Sequence, residues 1–175
     1  MGAHRRLTLL RHGQAGSADA YAEDFERPLT RHGIREAEEM AKRLVFRDWR
    51  PDLIVASPAE RAWVTAEILA RGCELDSKAL RAARELYLAS PEAIWRIAGQ
   101  CEPTLRHVLI CGHNPGLSGL ASRFGPKPKP LRLATAGLAS AVWKDGDWRL
   151  LEPQDAVHCE IIDPDDAAEL SDEIP

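Results

Sequence analysis

Short apolar runs alternate along this chain with longer segments in which apolar residues recur every three to four positions. The apolar runs have the length of buried strands and cover residues 7–10, 53–56 and 107–111. The periodic segments predict helices and cover residues 31–46, 58–70 and 115–124. Strands and helices that alternate in this way form a sheet whose strands run mostly parallel. The pattern therefore predicts an α/β fold.

The predicted helix over residues 31–46 has the clearest two-sided pattern. Its charged residues, Glu36 and Arg43 among them, fall outside the apolar face and are predicted to be solvated. The next helix has a start signal, because Ser57 can cap its first turn, with Pro58 at the first helical position and Glu60 completing a capping box. The apolar face of the first helix consists of Ile34, Ala37, Ala41, Leu44 and Val45.

The second half of the chain has weaker signals. An irregular stretch precedes a helix over residues 91–98, which Ser90 can cap. The Asp145-Gly146 turn between apolar segments 138–143 and 148–151 predicts a hairpin, and hence antiparallel strands at the end of the sheet. Together these elements predict a three-layer α/β/α fold with a mixed, mostly parallel central sheet, formed by one domain over residues 1–160.

Composition narrows the class of protein. The chain has 175 residues and a formal net charge of −4, so no broad basic surface favours a nucleic-acid partner. Four cysteines without a Cys-x-x-Cys pair suit neither a disulfide framework nor a thiolate metal site, which favours a reducing cytoplasm. The basic N-terminus precedes an apolar run too short for a signal peptide or a membrane span. Residues 161–175 hold six acidic residues and no basic one, which predicts a loosely ordered tail.

Arginine and histidine residues follow the ends of three predicted strands. Arg11 and His12 end the first, Arg61 follows the second by five positions, and His113 comes two positions after the third. The ends of neighbouring parallel strands share one edge of the sheet, where α/β proteins bind ligands. Two guanidinium groups and two imidazoles at such an edge suit a phosphoryl group, whose oxygens need several donors. No phosphate loop, dinucleotide fingerprint, nucleophile elbow or His-Glu-x-x-His motif is present.

Four segments together resemble the histidine phosphatase superfamily, whose fold is phosphoglycerate mutase-like, and within it the small SixA-type phosphohistidine phosphatases. The similarity extends in the family's order over roughly residues 7–143. Ala15 and Asn114 stand where the acid phosphatase and phytase branch has arginine and aspartate, which disfavours that branch. The segments are Leu10-Arg11-His12-Gly13-Gln14-Ala15, Arg27-Pro28-Leu29-Thr30-Arg31-His32-Gly33, Ser57-Pro58-Ala59-Glu60-Arg61-Ala62-Trp63-Val64-Thr65-Ala66 and Gly112-His113-Asn114-Pro115-Gly116.

The resemblance implies specific roles for the residues at the strand ends. His12 would be the nucleophile, which attacks phosphorus and becomes a phosphohistidine that water then hydrolyses. Arg11 and Arg61 would bind the phosphoryl oxygens through forked hydrogen bonds and lower the pKa of His12 by their charge. His113 would donate a hydrogen bond to a phosphoryl oxygen. No metal and no organic cofactor would be required.

The proton donor for the leaving group is less well specified. The family often carries a carboxylate in the stretch between the third and fourth of these segments, and Glu85 is the candidate there. Asp19, Glu23 and Asp24 follow His12 in the chain and could reach the pocket instead. Glu85 could also be a surface residue paired with Arg81 or Arg84.

The sequence thus predicts an enzyme, a metal-independent phosphatase that uses a phosphohistidine intermediate. Its predicted partner is a phosphohistidine on a protein or a small phosphorylated metabolite, with neither a nucleic acid nor a membrane involved. Two alternatives stay open: a phosphomonoesterase of a sugar or nucleotide phosphate, and a non-catalytic phosphate-binding module. Specificity is expected to come from the loops over residues 16–27 and 125–133.

Overall fold

Six strands form one mixed sheet in the computed structural model, which describes residues 4–165. Their order across the sheet is β3-β2-β4-β1-β5-β6. The first four strands in that order run parallel, whereas β5 is antiparallel to both β1 and β6. The predicted mixed, mostly parallel sheet is therefore confirmed. The strands are β1 (His4–Arg11), β2 (Leu53–Ala56), β3 (Leu80–Ala82), β4 (His107–Gly112), β5 (Leu138–Lys144) and β6 (His158–Ile162).

Helices cover both faces of the sheet, because alternate strand residues point to opposite sides. Leu7 and Leu9 pack on the face covered by α3 and α4, whereas Leu10 packs on the face covered by α1 and α2. Two separate apolar cores result, which confirms the three-layer α/β/α architecture. The helices are α1 (Arg31–Phe46), α2 (Glu60–Gly72), α3 (Pro91–Gly99) and α4 (Gly116–Ala121).

Side-chain caps fix the start of two helices. The side chain of Thr30 accepts a hydrogen bond from the Gly33 amide at the start of α1, and Ser90 accepts one from Ala93 at the start of α3. The predicted Ser90 cap is confirmed. Strand β3 was not predicted, because three residues with little burial leave no clear apolar signal.

The charged face predicted for α1 is only partly solvated. Glu36 and Arg43 are each 6% exposed, whereas Ile34, predicted on the buried face, is 37% exposed. Glu36 accepts hydrogen bonds from the Gln14 amide at 2.7 Å and the Thr135 hydroxyl at 2.5 Å. Tertiary partners therefore bury charges that the helical period alone assigns to solvent.

Two helices start or end differently from the prediction. Ala59, not Ser57, is the N-cap of α2, and that helix begins at Glu60 with no side-chain cap. The Ser57 hydroxyl instead accepts from the Ala59 amide at 3.3 Å and contacts His113. Helix α4 ends at Ala121 rather than at residue 124, because the Arg123 and Phe124 amides bond to carbonyls three residues back.

The predicted hairpin around residues 145–146 is wrong. Residues 148–150 form a short 3-10 helix, and Trp148 is buried with its indole N–H donating to the Leu105 carbonyl at 3.0 Å. The antiparallel partner of β5 is β6, which continues to Ile162, past the predicted end of the domain at residue 160. The rest of the predicted acidic tail, residues 166–175, lies outside the described residues. Among residues 4–165, no helix has the length and apolar character that a membrane crossing requires.

Candidate active site

The ends of β2, β4 and β1 bring three polar residues to one edge of the sheet. The strands are adjacent and parallel, with Arg11 beside Gly112 and Ala56 beside Cys111. The His12 amide continues the ladder by donating to the Gly112 carbonyl at 3.2 Å, and the Ser57 amide donates to Cys111 at 3.0 Å. His12, Ser57 and His113 therefore follow neighbouring strands at the edge that the sequence predicts.

The His12 ring is held in one tautomer by its own loop. Its Nδ1 lies 2.7 Å from the Gly13 carbonyl oxygen, which can only accept, so Nδ1 carries the hydrogen. The lone pair is then on Nε2, which accepts from Arg61 Nε at 3.3 Å. Gly13 permits this turn, since a Cβ there would approach the Gly33 carbonyl oxygen to 2.4 Å.

His12 is neutral at physiological pH. Burial lowers the pKa of His12 from 6.5 to about 4, and the positive charges of Arg61 and Arg11 act in the same direction. The hydrogen bond to Gly13 opposes this shift but does not outweigh it. A neutral imidazole whose Nε2 carries no proton can act as a nucleophile without first losing one.

His113 lies next to His12, with ring centroids 5.2 Å apart. Its Nε2 is 2.8 Å from the Ser57 hydroxyl. The Ser57 oxygen accepts from the Ala59 amide, and among the described hydrogen bonds His113 Nε2 is the acceptor for its hydrogen, so we infer that Ser57 donates to Nε2 and that the ring hydrogen is on Nδ1. Burial lowers the pKa of His113 to about 3, helped by charge repulsion from His12 and Arg61. His113 is therefore a neutral donor here.

Two arginines complete the cationic side of the site. Arg61, on the first turn of α2, is 3% exposed. Arg11 Nη1 donates to the Leu133 carbonyl at 3.0 Å. Within the described chain, Arg11 Nε and His113 Nδ1 are buried without a hydrogen-bond partner. Buried donors of this kind are costly unless a ligand accepts from them, and the charges favour an anion. The structure thus brings together His12, Arg11, Arg61 and His113.

Glu85 is not brought to this site. It is exposed on a 3-10 helix, Arg84–Leu86, and lines a separate groove of about 370 Å³ together with Arg81 and Arg96. None of the hydrogen bonds or ion pairs described for the chain joins Glu85 to His12, Arg61 or His113. The carboxylate that contacts the arginines is Asp24, one of the three acidic alternatives in the loop after His12.

Asp24 is held by donors from three parts of the chain. Its carboxylate accepts from Arg61 Nη2 at 2.9 Å, from Arg27 Nη1 at 2.7 Å and from the Tyr87 hydroxyl at 2.7 Å. Its carbonyl oxygen accepts from Arg61 Nη1 at 2.6 Å. Partial desolvation would raise the pKa of Asp24, but the hydrogen bonds from Tyr87, Arg27 and Arg61 outweigh it and hold that pKa well below its usual value.

Three residues of the site carry no distinct sequence signal. Ser57 supports His113 although its position before a helix favours capping, and Tyr87 holds Asp24 from an irregular stretch. Glu36 supports the loop after His12 from a helix position that the periodicity assigns to solvent. Their partners are 22 to 63 residues away in the chain, so only the fold brings them together. Within residues 4–165, no group of three or more His, Cys, Asp and Glu side chains is placed to hold a metal ion.

The buried histidines predict a pH-dependent stability. Burial lowers the pKa of His12 to about 4 and those of His107 and His113 to about 3. Between about pH 5 and 6.5 the unfolded chain therefore binds protons that the folded chain does not, and the free energy of unfolding falls as the pH falls. Each histidine can contribute a slope of up to about 1.4 kcal/mol per pH unit.

Urea denaturation at pH 7.5, 6.5, 5.5 and 5.0 measures this slope. His107→Gln is the informative variant, because glutamine can keep the hydrogen bond to the Thr8 hydroxyl, 2.8 Å from His107 Nε2, without titrating. We expect it to remove about one third of the slope, since the three imidazoles contribute alike. A parent protein whose stability does not change between pH 7.5 and 5.0 would contradict the burial of neutral imidazoles.

Comparison with known proteins places the chain in a family. The model of the histidine phosphatase superfamily (branch 1) matches residues 7–104. An uncharacterized protein of Picosynechococcus sp. is 35% identical over 141 residues, which cover 75% of this chain and 81% of that protein. An uncharacterized chloroplastic protein of Arabidopsis thaliana is 27% identical over 168 residues, which cover 83% of this chain and 75% of that one.

Solved structures share the fold over nearly the whole chain. A protein assigned as phosphohistidine phosphatase SixA from Agrobacterium tumefaciens is 29% identical, with a TM-score of 0.71 and coverage of 90% of this chain and 97% of that one. The protein histidine phosphatase SixA complexed with tungstate is 22% identical, with a TM-score of 0.76 and coverage of 91% and 97%. The chain belongs to the histidine phosphatase superfamily, branch 1, where its fold matches that of SixA structures, and it is a phosphatase.

Proposed function

We propose that this phosphatase removes the phosphoryl group from phosphohistidine on a protein, through a covalent phosphohistidine intermediate on His12. The observation that carries this proposal is the His12 ring, whose Nδ1–H donates to the Gly13 carbonyl while Nε2 presents a lone pair beside Arg61. The name of the SixA structures supports the phosphohistidine substrate, and the 29% identical one covers 90% of this chain.

In the first step, His12 Nε2 attacks phosphorus. A new P–N bond forms to Nε2 while the bond from phosphorus to the leaving group breaks, and the leaving group keeps that electron pair. His12 does not need to lose a proton, because its pKa is lowered to about 4 by burial and by the arginines. The Nδ1–H continues to donate to the Gly13 carbonyl oxygen, which stabilises the positive charge that the ring gains.

Arg61, Arg11 and His113 bind the phosphoryl oxygens in this proposal. Arg61 and Arg11 supply N–H groups of fixed geometry and two positive charges, which offset the charge on the oxygens during transfer. His113 supplies Nδ1–H, which is buried and has no other partner among the described residues. Donors that are already in position cost no reorganisation during the reaction.

In the second step, water attacks the phosphohistidine. The P–N bond to His12 breaks, its electron pair returns to Nε2, and phosphate leaves as H2PO4−, which carries the oxygen and both hydrogens of the water molecule. Because His12 again becomes a neutral imidazole with its hydrogen on Nδ1, the ring returns to its starting state. His12 accepts the phosphoryl group in the first step and releases it in the second. Neither proposed step uses a metal ion.

The surroundings of the site favour a protein over a small metabolite. A groove of about 600 Å³ adjoins the site and is lined by Arg11, Asn114 and Arg132, among others. The exposed residues Lys127 and Lys129 come just before its lining residues Pro130 and Leu131 in the chain. An open basic groove beside the phosphoryl site suits an acidic protein surface better than a closed pocket would. We also propose a cytoplasmic location, since all four cysteines are free.

A substrate panel tests the proposed function. We expect phosphohistidine peptides to be hydrolysed with a kcat/KM at least about tenfold higher than that for sugar or nucleoside monophosphates, and activity to persist in EDTA. p-Nitrophenyl phosphate serves as a generic substrate, and vanadate should inhibit all of these activities. A higher kcat/KM for a sugar or nucleotide phosphate would show that this compound, and not phosphohistidine, is the preferred substrate. Absence of turnover with every member of the panel would contradict the proposal altogether.

A further inference from the structure

Asp24 occupies half of the edge through which Arg61 would bind a phosphoryl group. The Nε and Nη2 hydrogens of an arginine point from one edge of the guanidinium, and this edge binds paired oxygens of carboxylates and phosphates. In Arg61, Nε donates to His12 Nε2 at 3.3 Å and Nη2 donates to Asp24 Oδ2 at 2.9 Å. A phosphoryl group attacked by His12 takes that edge of Arg61. The phosphoryl group must therefore displace the Asp24 carboxylate from Nη2, and it then lies next to that carboxylate.

Two further donors keep Asp24 in place when Arg61 is taken by the phosphoryl group. Arg27 Nη1 lies 2.7 Å from Oδ1, and Arg27 Nε is itself anchored on the Gly16 carbonyl at 2.9 Å. The Tyr87 hydroxyl donates to Oδ2 at 2.7 Å, and the Tyr87 ring packs edge-on against His113 with centroids 5.5 Å apart. The carboxylate is therefore positioned beside the site by groups that are not needed to bind phosphate.

Asp24 can accept a hydrogen bond from a leaving group but is poorly suited to give it a proton. Arg61, Arg27 and Tyr87 all donate to its carboxylate, and these bonds favour the ionised form. A sugar or nucleoside hydroxyl leaves as an alkoxide, which needs a proton and would be repelled by this carboxylate. A leaving group that carries an N–H and a positive charge would instead be attracted.

We propose that Asp24 is a specificity-determining residue that accepts the distal ring N–H of a phosphohistidine substrate and so favours imidazole over a hydroxyl as the leaving group. The inference rests on the proposed function and adds a residue to it. In the substrate, a ring protonated at its distal nitrogen carries a positive charge. When the P–N bond breaks, its electron pair stays on the ring nitrogen, and a neutral imidazole leaves without any proton transfer.

The two rings that exchange the phosphoryl group then have matching surroundings. The distal N–H of the leaving imidazole donates to the Asp24 carboxylate, and the Nδ1–H of His12 donates to the Gly13 carbonyl. A P–N bond breaks on one ring while a P–N bond forms on the other. Because each ring has an oxygen acceptor for its N–H, neither side of the transfer is strongly favoured, and the first step needs no general acid.

Asp24→Asn tests this proposal by removing the charge while keeping the shape of the side chain. We expect the ratio of kcat/KM for a phosphohistidine peptide to that for p-nitrophenyl phosphate to fall about 10- to 100-fold. Vanadate should bind about three- to tenfold more tightly, because a neutral amide competes less well than a carboxylate for Arg61. The matched control is Asp19→Asn. Asp19 is an exposed residue of the same loop, and its carboxylate has no contact with Arg61 in the described chain. The ratio for this variant should equal that of the parent.

Tyr87→Phe is the second variant, for the case that Asp24→Asn folds poorly. It removes one of the hydrogen bonds that hold Asp24 and should lower the same ratio by a smaller factor. An unchanged ratio in both variants would overturn the proposal. An equal fall in kcat/KM on both substrates would also overturn it. If that fall grew for aryl phosphates with poorer leaving groups, Asp24 would be identified as a general acid.

Failure of the proposed function has a different signature. A parent protein that hydrolyses p-nitrophenyl phosphate but no phosphohistidine peptide disproves the phosphohistidine substrate directly, before any variant is made. The leaving-group role of Asp24 is then overturned as well. If the parent protein hydrolyses phosphohistidine peptides and Asp24→Asn lowers the ratio of kcat/KM for the peptide to that for p-nitrophenyl phosphate, both proposals are supported.

Discussion

Replacing His12 by alanine is expected to lower kcat/KM on every substrate by at least about 10³-fold and to abolish the phosphoenzyme. The reason is that no neighbouring group can take over the attack. His113 is the other imidazole of the site, but its Nε2 is engaged by Ser57 and its Nδ1 carries the hydrogen in the arrangement that we infer. Arg61 and Arg11 can bind the phosphoryl group but cannot accept it.

Rapid quench in alkaline detergent with a ³²P-labelled substrate measures this prediction. The parent protein should yield an acid-labile, base-stable labelled protein, and His12→Ala should yield none. His158→Ala is the matched control, because His158 is exposed on β6 and its ring contacts only Glu160 among the described residues. Added imidazole should restore part of the activity of His12→Ala by accepting the phosphoryl group in the vacated space. A labelled phosphoenzyme in His12→Ala would contradict the assignment of the nucleophile.

Replacing Arg61 by lysine is expected to lower kcat/KM about 10²-fold or more, although the positive charge is kept. Lysine cannot present the Nε and Nη2 hydrogens that share one edge of the guanidinium. It also cannot reproduce the contact of Arg61 Nε with His12 Nε2 at 3.3 Å, which holds the His12 ring in place before the phosphoryl group takes that edge of Arg61. The affinity for vanadate should fall in parallel, since vanadate resembles the transition state and binds to the same edge of the guanidinium.

Arg71→Lys is the control for this prediction, because Arg71 is exposed on the same helix as Arg61. It should leave kcat/KM within about twofold of the parent value. Thermal denaturation of both variants separates a catalytic loss from unfolding, which matters because Arg61 also bonds the Asp24 carbonyl in the loop after His12. Full activity in Arg61→Lys would show that charge alone is needed and would remove the forked contact from the mechanism.

The sequence was most informative where a local pattern matches the tertiary environment. The apolar runs of β1, β2 and β4 are buried on both faces of the sheet and could be identified by their composition alone. The adjacency of their ends follows from parallel pairing, so the meeting of Arg11, His12 and His113 could be predicted. It was least informative where a side chain has two possible partners, as with Ser57, which can cap a helix or support His113.

Trp148 and Glu36 show why other predictions were wrong. The turn signal at Asp145-Gly146 favours a hairpin, but the burial of the Trp148 ring in the core directs the following residues into a 3-10 helix, and β6 takes the place beside β5. Glu36 falls outside the apolar face of α1, yet it is buried because Gln14 and Thr135 donate to it. In both cases a distant contact outweighs a local preference.

From periodicity and strand ends, the sequence by itself determined the mostly parallel sheet and the edge at which Arg11, His12 and His113 meet, whereas the role of His12 as nucleophile is what the family resemblance implies. Only the tertiary structure decided which carboxylate reaches Arg61. The sequence favours Glu85 and leaves Asp24 as one of three alternatives, but which carboxylate reaches the arginines is set by how the loops fold over the sheet edge. The structure brings Asp24 to Arg61, Arg27 and Tyr87, and it leaves Glu85 exposed on a separate groove.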